Sequence, residues 1–150
     1  MKTKKVIKSL HDLIQINREG ENGYKEASEN VKSEDFKTIL YRLSQQRALF
    51  RGELEEILRN DYRDAADVQD SAASKIHRFW MEIKTAFNSN DDEAILAECA
   101  RGEEHAIEEY TKMMDGRLPA YIENVAKQQL DLIRGSLSQI KGLASETEDA

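Results

Sequence analysis

The sequence predicts an all-α protein, four long helices with a long helical crossover between the second and third, and three observations carry that expectation. Apolar residues recur in alternating steps of four and three along most of the 150 residues. A single proline leaves the helical runs unbroken. No stretch of apolar–polar alternation competes as a strand.

The first helix covers 3–32, where Val6, Leu10, Leu13, Asn17, Gly20, Tyr24, Ala27 and Val31 form one stripe. Ser33-Glu34-Asp35 supplies an N-cap and an acidic first turn. The second helix then covers 34–60 with Phe36, Leu40, Leu43, Arg47, Phe50, Leu54 and Ile57. The polar run 61–70 is a connection, and Ser71 caps a shorter helix over 71–87 with Ile76, Trp80, Ile83 and Phe87 on one face. Asn90 followed by Glu93 is close to a capping box and opens the third long helix, 91–115, with Leu96, Cys99, Glu103, Ala106, Tyr110 and Met113. Gly116 suits a helix end and Pro119 a first turn. The fourth long helix covers 118–143 with Leu118, Ile122, Val125, Gln129, Leu132, Ser136, Ile140 and Leu143, and 144–150 is a frayed tail. Helices of about 25 residues are roughly 37 Å long, so the chain between the second and third must travel back along the others. The helix at 71–87 does this, giving one domain, 1–150, in the ferritin-like arrangement.

The charge arithmetic, 22 Lys+Arg against 29 Asp+Glu, gives −7, and the pI is about 5.1. That balance excludes a broad phosphate-neutralising surface, so nucleic acid is not an expected partner. Cys99 is the one cysteine, which forbids an intramolecular disulfide and fits a reducing cytoplasm. Lys8, His11, Asp12 and Gln15 interrupt any signal-like apolar stretch near the start, and no run approaches the ~18 apolar residues of a membrane span. Glycine-rich phosphate loops, serine elbows and paired zinc ligands are missing.

Each long stripe carries a polar or missing side chain near its midpoint: Asn17, Gly20 and Tyr24, then Arg47, then Glu103 with Tyr110 further along, then Gln129. Di-iron bundles fill this layer with carboxylates and two Glu-x-x-His pairs. Here those pairs are absent, and Arg47 places a planar cation where metal charge would lie, with Glu103 able to receive it. Gly20 is expected to leave room for the guanidinium, and Asn17, Tyr24, Tyr110 and Gln129 to complete a buried polar network. In the opposite reading Arg47 snorkels to the surface and Glu103 faces solvent.

These residues resemble a bacterial, largely uncharacterised ferritin-like four-helix family described as a domain of unknown function, some members of which are linked to stress responses. The carriers are Gly20 and Gly23-Tyr24-x-x-Ala27-x-Glu29, Arg47-x-x-Phe50-x-x-Glu53-Leu54, His77-Arg78-x-Trp80, Gly102-Glu103 with Tyr110, Leu118-Pro119 and Gln129. The resemblance implies a ferritin-like fold and no assigned reaction. Asn17 and Leu137 depart from it, standing where relatives often have cysteine and histidine.

The expectation is therefore a non-enzymatic, cytoplasmic bundle without cofactor, serving a structural, stress-related or partner-binding role. The alternative is a protein binding iron or another divalent metal through Glu103 with Glu21, Glu26, Glu53 or His77. A third reading, a small-molecule carrier using the mid-bundle polar layer and Trp80, needs a cavity. His77, Arg78 and Trp80 are expected to anchor the crossover helix by packing, His105 with Glu108 and Glu109 to form a solvated acidic face, and Cys99 to behave as a small buried hydrophobe. Apolar positions outside the stripes, Ile7, Ile14, Leu49, Leu58, Ile95, Ile107, Leu130, Ile133 and Leu137, are expected in part beneath the crossover helix and for the rest on a homodimer face that the sequence does not choose.

Overall fold

The computed structural model describes residues 3–63, 72–89, 91–116 and 118–149. Among these the chain is all helical: α1 (Thr3–Asn30), α2 (Glu34–Tyr62), α3 (Ala72–Phe87), α4 (Asp92–Met113) and α5 (Ala120–Asp149). Ser33 caps α2, its Oγ accepting the Phe36 N–H at 3.3 Å. The cap of α4 is Asp91, whose carboxylate accepts the Glu93 and Ala94 N–H groups at 3.1 and 3.4 Å. The expected capping residues Asn90 and Ser71 both lie outside the described residues. Asp92, one residue into α4, reaches back to the α1–α2 turn and accepts the Lys32 and Ser33 N–H groups at 2.8 and 3.1 Å.

Cross-helix contacts fix the directions. Arg51 meets Glu21 and Arg18 meets Glu55, so α2 runs antiparallel to α1. Asn17 meets Tyr110 while the turn after α1 meets Asp92, so α4 is also antiparallel to α1. Ser136 reaches Gln46 and Tyr121 donates to Asp61, which sets α5 antiparallel to α2. It follows that α2 and α4 run parallel across the diagonal, and the connection containing α3 returns the chain to the starting end. α3 packs on α1 and α4, while α2 and α5 approach each other least closely among the contacting helices.

The buried stripes follow a straight helix more closely than a strict four-three repeat. Leu58 is fully buried where Ile57 is only half-buried, and Ala126, Leu130 and Ile133 turn inward while Leu132 is 54% exposed. A period of 3.6 drifts ~20° per heptad from one of 3.5, so after a few turns the inward position moves to the next residue. The last helix also outruns its expected end at 143: α5 continues to Asp149, since no glycine or proline follows Gly142. α1 ends at Asn30 instead of 32, although Val31 remains buried and its N–H still bonds Ala27 O at 3.1 Å.

Candidate functional site

Arg47 projects from the middle of α2 and Glu103 from the middle of the diagonal α4. Both side chains are 1% exposed, and the guanidinium Nη2 donates to Glu103 Oε2. The Arg47 guanidinium carbon lies 5.5 Å from the Tyr24 ring centre and 6.0 Å from that of Phe50, within cation–π range of both. Its Nε donates to Gln46 Oε1 at 3.3 Å. Burial works most strongly against the positive charge, but Glu103 together with Tyr24 and Tyr110 more than offsets it, so Arg47 holds its proton more tightly than an ordinary arginine.

The expected single network is two arrays. In the second, Asn17 Nδ2 donates to Leu13 O at 2.8 Å and to Tyr110 Oη at 2.6 Å. Tyr110 donates to Gln129 Oε1 at 2.7 Å, and Gln129 Nε2 lies 3.3 Å from Phe50 O and 3.1 Å from Glu53 Oε1. This relay runs across the bundle to the exposed Glu53 and does not join the ion pair. The sequence offers Glu53 as a possible ligand and as one carrier of the resemblance; its position one turn beyond Phe50 makes it the outer acceptor of the relay.

Among the described residues, Asn17 Oδ1, Tyr24 Oη and Glu103 Oε1 are buried atoms without a partner in good hydrogen-bond geometry. Tyr24 lies beside Glu103, which acts on it through its charge and, more weakly, through a side-chain hydrogen bond, the tyrosine holding a donor and the carboxylate an acceptor. Burial first, then Glu103, push the Tyr24 pKa well above that of a free tyrosine. Burial does the same for Tyr110 and for the fully buried Cys99. The Cys99 thiol is therefore protonated and inert at neutral pH.

The crossover helix is anchored by shape. Trp80 is 5% exposed and lies between α1 and α4, over two glycines. A Cβ on Gly23 would lie 2.3 Å from the indole, and one on Gly102 would lie 2.6 Å from it. Both glycines are required by this close approach. Gly20, expected to make room for Arg47, is less demanding: a Cβ there would sit 3.4 Å from Arg47 Cγ and Nη1, an ordinary contact. The signal for the Trp80 socket was present in the sequence as two mid-helix glycines and a lone tryptophan, but spacing alone does not say which glycine faces which ring. Tyr24 meets Trp80 edge-on at 5.9 Å between ring centres, and Phe79 does so at 5.8 Å. Phe79 in turn stacks against His105 at 4.5 Å and under Arg101 at 5.3 Å. His77 is exposed, and its Nδ1 lies 2.6 Å from Glu19 Oε1 on α1; Arg78 is exposed on the same helix.

The carboxylates of the alternative metal reading are dispersed. Glu21 pairs with Arg51 at 3.0 Å, Glu53 receives Gln129, and Glu103 receives Arg47. Glu26 lines a cleft of about 150 Å³ with Glu19, His77 and Trp80. Among the described residues no three His, Cys, Asp or Glu side chains group to hold a metal ion, and no helix there is long and apolar enough to cross a membrane.

Residues 5–116 match the family described as DUF2383, a domain of unknown function. No curated protein matches the chain.

Proposed function

Because this chain belongs to the DUF2383 family, and because a guanidinium occupies the middle of its interior, we propose that it is a non-enzymatic ferritin-like bundle in which an Arg47–Glu103 pair stands in for a di-metal centre. Its role is that of a partner-binding scaffold, with a place in stress responses that rests on the family resemblance. The antiparallel neighbours, the parallel α2–α4 diagonal and the helical crossover support the ferritin-like reading of the fold.

The observation that carries the proposal is the full burial of Arg47 facing Glu103. Two divalent ions in this layer need several carboxylates with imidazoles on inward faces. The layer holds instead Asn17, Tyr24, Arg47, Glu103, Tyr110 and Gln129, all buried. A cation entering beside Glu103 would meet a fixed positive charge in a low-dielectric interior. The donor set does not fit the metal pair, and the arrangement supplies cross-helix fixation in place of redox chemistry.

The test is the metal content of untagged protein purified without chelator, followed by addition of ferrous iron in air with absorbance recorded. The expected result is no stoichiometric metal and no oxidation above the buffer rate. Near-stoichiometric iron or an oxo-bridged iron band sinks the proposal and makes Glu103 a ligand.

A further inference from the structure

The α2–α5 side of the bundle carries a second surface stripe that the interior does not use. On α2 it reads Arg42, Gln45, Leu49, Gly52 and Glu56, again in steps of three and four, and all five are exposed. Leu49 is 70% exposed. On α5 the matching stripe is Gln128, Leu132, Gly135 and Gln139, exposed and without charge in a chain whose residues are 34% charged. Around Leu132 the α5 stripe has the uncharged composition of an interface centre, while on α2 the charges Arg42 and Glu56 lie two turns from Leu49 and the nearer, exposed Glu53 is held by Gln129. The Gln46–Ser136 and Glu53–Gln129 contacts bracket Leu49 and Leu132, so both leucines stand at the same height.

Two further features point to the occupant. A Cβ on Gly52 or Gly135 would meet nothing within 4 Å, so no packing among the described residues requires these mid-helix glycines, which weaken a helix relative to alanine. Glycine on an open face lets another backbone come close. The charges are also symmetric: Arg42 and Glu56 lie seven residues before and after Leu49. If a second copy packs with its α2 antiparallel, Leu49 meets Leu49, and each Arg42 meets the Glu56 of the other copy.

We propose that the α2–α5 face is the interface of a two-fold homodimer in which α2 packs antiparallel on α2 and α5 on α5, with Leu49 and Leu132 at the axis. The contact is isologous, as a two-fold requires. The stripe from Arg42 to Glu56 is ~21 Å long, and two helices side by side present on the order of 500 Å² per partner. That is below the ~800 Å² of a standard interface, so the dimer dissociates on dilution. The proposal stands apart from the metal question, since no residue of the interior layer takes part.

Analytical ultracentrifugation of the full chain between about 1 and 500 µM tests it. The expected result is a concentration-dependent rise from 17.2 kDa toward twice that mass. Leu49→Glu and Leu132→Glu, both at exposed sites, should each weaken association by at least ~10-fold with helical circular dichroism unchanged. Arg42→Glu alone and Glu56→Arg alone should each weaken it, and the double exchange should restore it. Leu49→Cys should cross-link to itself on air oxidation, whereas Lys127→Cys, on the side facing α4, should not. A monomer across the whole range overturns the proposal, as does a dimer indifferent to both glutamate substitutions. A dimer sensitive to them but not restored by the double exchange overturns the antiparallel pairing.

Discussion

Where α1 meets α4, Gly23 and Gly102 make room for Trp80 of α3; where α2 meets α5, Gly52 and Gly135 make room for nothing among the described residues. The first seam is closed, with Phe79 and Trp80 buried over it. The second is bare, with Leu49 and Leu132 at 70% and 54% exposure. The crossover helix α3 packs over the α1–α4 side of the bundle. The same residue type, placed mid-helix on both sides, thus serves an intramolecular fit on one and is free for an intermolecular one on the other.

The largest expected effect lies between the two seams. Arg47→Leu or Glu103→Leu alone leaves a buried charge without its partner and should cost ~3–5 kcal/mol in urea unfolding, whereas the double substitution should come near wild type. Small additive losses would mean that the pair is solvated. On the closed seam, Trp80→Ala should cost a similar ~3–5 kcal/mol, and Gly23→Ala roughly 1–3 kcal/mol by overpacking the indole, read as lowered thermal midpoints.

Alkaline pH attacks the same interior. The pKa values of Tyr24, Tyr110 and Cys99 are all raised on folding, so the native state keeps protons that the unfolded chain releases. Their stabilisation is intact below the unfolded values of about 8.5 for cysteine and about 10 for tyrosine. It declines above them by up to ~1.4 kcal/mol per pH unit for each group, until the folded values are reached. Denaturation midpoints should therefore be flat from pH 7 to 8 and fall steeply by pH 11, and Tyr24→Phe should flatten part of that slope. An unchanged slope would place the Tyr24 hydroxyl in water.

The smallest effect has the opposite sign and separates the seams most sharply. Gly52→Ala and Gly135→Ala, measured on dilute protein, should each raise stability by ~0.5–1 kcal/mol. A loss at either site would mean that the bare seam is packed after all.

The four-three stripes made the five helices legible, because burial of one helix face leaves its period in the sequence. Arg47 and Glu103 stood out because a charged residue inside an apolar stripe either turns outward or finds a partner. The division into two arrays was not legible: whether Gln129 reaches Arg47 or Glu53 depends on an axial offset of a few ångströms that periodicity does not contain. The inward turn of Ile133 in place of Leu132 follows from helical drift, which a four-three count absorbs unseen. Gly23 and Gly102 were visible as glycines, but their purpose depends on where α3 lies across the bundle, a relation between elements distant in the chain.

One consequence follows from the way Trp80 is seated. It is the sole tryptophan, and it is held by ring edges and glycine backbones at the point where α3 meets both α1 and α4. Its emission therefore reports the docking of one helix and not the melting of the whole. If α3 lifts away while the long helices persist, the fluorescence moves to the red and quenches with added iodide, and the far-ultraviolet signal stays nearly constant. The molecule carries its own optical gauge for partial opening, readable without any label.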